Sequence, residues 1–203
     1  IGVTDEKLVP VWSRILLAAS SLTMTIFAPI WGFLSDRFGR KVMVERAMFA
    51  GAFITMAMGM IDNVYQLLVL RLISGAFTGT ISASISLVSS VLPGTRMGLG
   101  LGLMQVAVFL GMSVGPWIGG MIADIIGYRL TFIAGGVILL VGGLLVLIGA
   151  KEKFTRPSAE SLKQGGSMKT LFAMPGFISL LVVFFIFHFS INIAVPILPL
   201  FIE

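Results

Sequence analysis

Gly32-Phe33-Leu34-Ser35-Asp36-Arg37-Phe38-Gly39-Arg40-Lys41, GFLSDRFGRK, lies between two long apolar runs. It gathers an acid (Asp36) and three bases (Arg37, Arg40, Lys41) around a glycine (Gly39). The residues before Ser35 read as one membrane span, and those from Val42 read as another. Span, tight charged turn and second span is the unit that the rest of the chain repeats. It predicts an all-α, polytopic membrane protein.

Composition agrees. Hydrophobic residues make up 57% of the 203 residues and charged residues 11%. A soluble domain carries about a quarter of its residues as charges. Helices that have lipid as their solvent look like this chain instead. Cysteine is absent and there is one histidine, so no disulfide framework, thiolate nucleophile or metal cluster is expected, and no cofactor. The net charge of +5 raises the question of nucleic acid. The bases fall in short loops, so the preferred reading is a topology signal and no nucleic-acid partner.

Six spans are predicted, at residues 15–35, 42–61, 64–92, 97–123, 130–150 and 171–202. Each is long enough to cross at 1.5 Å per residue. Pro29 and Pro116 are expected to kink the first and fourth. Residues 1–14 read as a loop leading into the first span. The start lacks methionine, and the chain reads as a piece of a longer protein. Residues 151–170 are polar and read as the one long linker. With the Gly32–Lys41 turn placed inside, ten of the fourteen bases fall inside, and Lys7, Arg14 and Arg129 fall outside. Arg71 lies within a span. That bias puts residues 36–41 and 151–170 in the cytoplasm.

Small residues recur at intervals of four: Ala47, Gly51, Thr55 and Gly59; Gly75, Gly79 and Ala83; Gly111, Gly115 and Gly119. This spacing lets helix backbones approach closely. Polar residues within spans are the other candidates. Arg71 either snorkels to the outer interface near Asp62 or tunes a titrating carboxylate from within the membrane. Gln105, His188 and Asn192 are candidate cavity residues; His188 and Asn192 are four apart and share a helix face. A helix–helix hydrogen bond explains the histidine equally well. No carboxylate in residues 15–203 sits at mid-membrane depth.

Three motifs coincide here, and the chain resembles the major facilitator superfamily. Gly32–Lys41 matches the family signature G-x-L-x-D-R-x-G-R-K without departure. Arg71-x3-Gly75-x3-Gly79 is similar to the fourth-helix motif. Gly102-x8-Gly111-x3-Gly115-Pro116-x2-Gly119-Gly120 resembles the fifth-helix motif of drug–proton antiporters. The resemblance implies an incomplete bundle, covering family helices two to seven. Residues 1–150 would be the N-terminal half lacking its first helix. Residues 151–170 would be the linker, and 171–203 the first helix of the second half.

The resemblance further implies a secondary transporter, a monomer when full length, working in the bacterial inner membrane among lipid. It would export amphipathic small molecules in exchange for protons. Proton-coupled import of a sugar or organic acid is the alternative, and a non-transporting receptor or scaffold is another class. An enzyme is not expected. Gly32, Asp36, Arg37, Gly39, Arg40 and Lys41 would form a conformational switch, with Asp36 as the latch to the second half. A plain topology anchor is the simpler reading of that turn. The titrating acid would lie outside this chain.

Overall fold

The computed structural model describes residues 8–152 and 172–194. They form seven helices: α1 (Val9–Phe38), α2 (Arg40–Met58), α3 (Val64–Phe77), α4 (Thr80–Val91), α5 (Gly94–Ile126), α6 (Tyr128–Gly149) and α7 (Phe177–Ala194). No strand occurs among the described residues. The chain divides into two compact units, Ile1–Arg156 and Pro157–Glu203. Helices α1 to α6 belong to the first, and α7 is described by itself.

In lipid a backbone must satisfy its own polar groups, and a helix does so within one segment. Among the described residues four stretches are long and apolar enough to cross a membrane: Val9–Phe38, Val64–Val91, Gly94–Ile126 and Tyr128–Gly149. Helix α2 falls short of that composition because Arg40, Lys41, Glu45 and Arg46 crowd its start. In α7 the apolar stretch is Phe177–Ser190, which is shorter.

The first span begins earlier than the sequence suggests, at Val9, with Pro10 in its first turn. Proline loses nothing there, since the first N–H groups of a helix have no partner anyway. Pro29 and Pro116 both lie inside helices that continue past them. The α1–α2 turn closes through Gly39, with φ +97° and its N–H donating to the Ser35 carbonyl at 3.0 Å. A side chain is strained at that φ.

The third predicted span is broken. Helix α3 ends at Phe77, and α4 starts at Thr80 after Gly79 at φ +122°. The Ser74 carbonyl accepts from both the Thr78 N–H (2.8 Å) and the Thr78 hydroxyl (2.6 Å). A hydroxyl that bonds back in this way competes with the helix, and the following glycine gains least from staying helical. The ladder expected through Gly75, Gly79 and Ala83 therefore does not run along one helix. At the start of α3 the Asn63 side chain accepts from the Tyr65 N–H at 2.9 Å, and Gln66 accepts from the Asp62 N–H at 3.1 Å. Together they satisfy donors that a helix leaves open.

Helix α2 is the hub. It packs along α6 and touches α3 and α4, while α1 packs along α3. Met43, Val44, Ala47, Gly51, Ala52 and Met58 of α2 are buried. Helix α2 approaches α6 closely at two glycines outside the predicted ladders. A Cβ on Gly136 would lie 2.7 Å from the Ala52 carbonyl, and one on Gly143 would lie 3.0 Å from the Phe49 ring. They are seven apart, two turns on one face of α6. Of the predicted ladder on α2, Gly59 meets α6 most closely, with its Cβ position 2.6 Å from the Arg129 carbonyl. The ladder on α5 behaves differently. A Cβ at Gly102, Gly111, Gly115, Gly119 or Gly120 would meet nothing within 4 Å, and α5 has no buried residue. Among the described residues these glycines pack against no other helix.

Candidate functional site: the charged turn and the cavity behind it

The turn is held by three neighbours, and none of its frame bonds uses Asp36. The first N–H groups of α2 are open donors at the positive end of the helix dipole. Glu152 fills them: the Arg40 N–H donates to Oε1 at 3.1 Å and the Lys41 N–H to Oε2 at 2.8 Å. At the opposite polarity, the Lys41 ammonium donates to the Leu147 carbonyl in the last turn of α6 at 2.7 Å. It also lies 3.6 Å from Glu45 one turn on. The Arg40 guanidinium donates to the Ser86 carbonyl of α4 at 3.3 Å.

Neither Arg40 nor the start of α2 serves Asp36: Arg40 donates to Ser86, and the first N–H groups of α2 belong to Glu152. Asp36 is exposed and has no ion pair among the described residues. Arg40 and Lys41 donate inward to carbonyls, and Arg37 is the exposed base, lying 5.7 Å from the Phe38 ring.

Glu152 was not found by sequence reasoning. It stands at the edge of the polar linker, 112 residues from Arg40, where a lone glutamate carries no signal. A carboxylate at a helix N-terminus contributes about 1–2 kcal/mol. Glu152→Ala should therefore lower the thermal unfolding temperature of the full-length protein measurably, with Glu152→Gln between the two. An unchanged melting curve would mean that the cap contributes nothing.

A Cβ on Gly32 would meet nothing within 4 Å, so the glycine is not there for close helix contact among the described residues. Gly32 instead lines a cavity of about 150 Å³ between α1, α2 and α4, together with Trp31, Ser35, Arg46, Thr78 and Ser82. The Trp31 Nε1–H donates to the Ala76 carbonyl at 2.6 Å, and the Arg46 guanidinium lies over the Trp31 ring, 3.3 Å from its centroid.

The remaining candidates stay apart. Arg71 sits in mid-α3, part-buried, and its Nε has no hydrogen-bond partner among the described residues. Asp62, its expected neighbour, pairs with Arg129 instead. Gln105 is exposed on α5. In α7, Asn192 donates to the His188 carbonyl at 2.8 Å, and His188 Nδ1 lies 3.2 Å from the Phe184 carbonyl. Both side chains contact their own helix. No metal-holding group of acids and histidine occurs among the described residues. The linker beyond Glu152, Pro196 and Pro199 lie outside the described residues.

A bundle of apolar helices joined by short charged turns defines an integral membrane protein of several spans. Residues 12–203 match the family model described as Major Facilitator Superfamily. The chain belongs to that family. It is 30% identical, over 204 aligned positions, to the multi-drug resistance efflux pump PmrA of Streptococcus pneumoniae, covering 100% of this chain and 51% of that protein. It is 32% identical to the multidrug resistance protein MdtG of Serratia proteamaculans, covering 100% of this chain and 50% of that protein. With MdtG of Proteus mirabilis it is 32% identical over 76% of this chain and 39% of that protein. The chain thus spans about half the length of the curated relatives it matches.

Proposed function

We propose that the full-length protein is a secondary transporter that exports amphipathic small molecules by alternating access, driven by proton exchange. The observation that carries this is the similarity of the whole chain to proteins named as multidrug efflux and resistance proteins. Export is favoured over import for the same reason, and a transporter over an enzyme by the family. Residues 1–150 act as most of the N-terminal half, 151–170 as the linker and 171–203 as the start of the second half. The protein works as a monomer in the bacterial inner membrane, with residues 36–41 and 151–170 in the cytoplasm.

In this reading the charged turn is a presented latch. Glu152, Ser86 and Leu147 fix its backbone and two of its bases, which leaves the Asp36 carboxylate outward and available to the second half. Two halves that rock about a central site need one contact that forms in one state and breaks in the other. Arg71 keeps a buried N–H to offer a titrating acid elsewhere in the protein.

The test is flux. Full-length protein in proteoliposomes, with an imposed pH gradient and a fluorescent amphipathic dye, should move dye against its gradient while protons move the other way. Dye movement that ignores the pH gradient would remove proton exchange. No movement of any amphipathic dye would remove export.

A further inference from the structure

The cavity behind the charged turn holds a positive charge without a counter-charge. Two of the Arg46 nitrogens, Nε and Nη1, are buried with no hydrogen-bond partner among the described residues. One face of the guanidinium is covered by Trp31, which its own bond to Ala76 keeps in place. Its N–H groups are therefore left to point along its plane. The lining adds hydroxyls and no acid. Ser35 Oγ is buried and also has no partner. The hydroxyls of Thr78 and Ser82 donate to carbonyls of their own chain segment at 2.6 and 3.0 Å.

The nearby acids do not serve. Glu45 is next to Arg46 in sequence, but adjacent residues on a helix do not face one another. Its Oε1 is buried without a hydrogen bond but lies 3.6 Å from the Lys41 ammonium, which is its ion-pair partner. Asp36 is exposed. Arg46 is half-buried overall, and because a guanidinium cannot shed its proton, its two buried nitrogens are costly without a counter-charge. Water alone satisfies the N–H groups and leaves the charge. A cavity of about 150 Å³ has room for a small ion and a few waters, at about 30 Å³ each.

We propose that this cavity is a binding site for a small monovalent anion, of halide or formate size, held by the Arg46 guanidinium against the Trp31 ring with Ser35 as a further donor. Bound there, the anion ties α2 to α1 and α4 directly behind the Arg40–Ser86 bond, and so stiffens the charged turn. The proposal does not depend on the export reading.

Trp31 makes the site observable. The probe is iodide, which quenches tryptophan emission on contact, titrated into full-length protein in neutral detergent at fixed ionic strength, with gluconate as a filler too large for the cavity. The Trp31 signal is the difference between the protein and its Trp31→Phe variant. Emission from Trp31 should fall along a saturating curve, and chloride or formate should displace iodide and restore it. In Arg46→Gln the half-saturating iodide concentration should rise about tenfold or more, as loss of a charged hydrogen-bond donor implies. The competition arm needs no variant, so it holds even if Arg46→Gln fails to fold. Quenching that rises linearly and ignores formate would overturn the proposal and leave the cavity to water. Absence of quenching would also overturn it, as expected if a carboxylate of the protein's own second half fills the site.

Discussion

Gly75→Ala should strongly destabilise the protein and lower its folded yield, although it adds one methyl group. Gly75 is buried in α3 where α1 crosses it. A Cβ at that point would overlap the Ser20 carbonyl oxygen and the Thr23 hydroxyl, and would lie 2.8 Å from the Ser20 carbonyl carbon. These atoms are backbone, or are tied to it: Thr23 Oγ1 is bonded to the carbonyls of Ala19 and Ser20 at 3.0 and 3.1 Å. No flexible side-chain end is there to swing away, so α1 itself must retreat.

That retreat has a second cost. The next residue, Ala76, offers the carbonyl that anchors Trp31, and lipid supplies no substitute partner. Overpacking alone costs about 1–3 kcal/mol, and a strained backbone with a lost buried hydrogen bond adds to it. The folded-to-unfolded ratio then falls by about tenfold to several hundredfold. The measurement is the monodisperse fraction of full-length protein by size-exclusion chromatography in mild detergent. Gly51→Ala is the control. Gly51 is also buried, but its nearest atoms to a Cβ are 3.8 and 3.9 Å away, which is ordinary contact. Gly75→Ala eluting like the parent would show that α1 and α3 have slack not visible in their packing.

Why the sequence reveals one of these helix contacts and hides another is a matter of distance along the chain. GFLSDRFGRK announces two helices and a turn because charge, glycine and apolar flanks fall within one short window. The break at Thr78–Gly79 is local too, yet the spacing of Gly75, Gly79 and Ala83 matches a packing ladder equally well. Periodicity cannot separate a ladder from a hinge, because both want small residues. Glu152, Ser86 and Leu147 meet the turn across the fold, and nothing near them in sequence marks the meeting. The Arg46–Trp31 pair joins two helices, and Arg46 is one of four charges at the start of α2, where nothing in the sequence singles it out. Gly136 and Gly143 escaped a search for intervals of four because they stand two full turns apart.

The same frame sharpens what Asp36→Asn should do. We expect dye flux in the proposed transport assay to fall about tenfold or more, with membrane insertion, yield and elution unchanged. The substitution keeps the shape of the side chain and removes its charge. Folding has no reason to notice, since the turn is secured by Glu152, Ser86 and Leu147 without Asp36. A latch would notice. A carboxylate that accepts charge-assisted hydrogen bonds in only one state contributes about 1.5–3 kcal/mol to that state, which is a tenfold to hundredfold shift in the balance of two conformations. Loss of the charge should therefore populate the state in which the halves are parted on the side of this turn. Single-molecule distances between labels on the two halves would read that shift directly, alongside dye flux. The pairing with Glu152→Gln separates latch from anchor: that variant loosens the frame, so it should lower thermal stability. Asp36→Asn should change conformational populations without changing the melting temperature. If flux and populations both stay at the parent level with normal expression, the turn is an anchor and its acid is incidental.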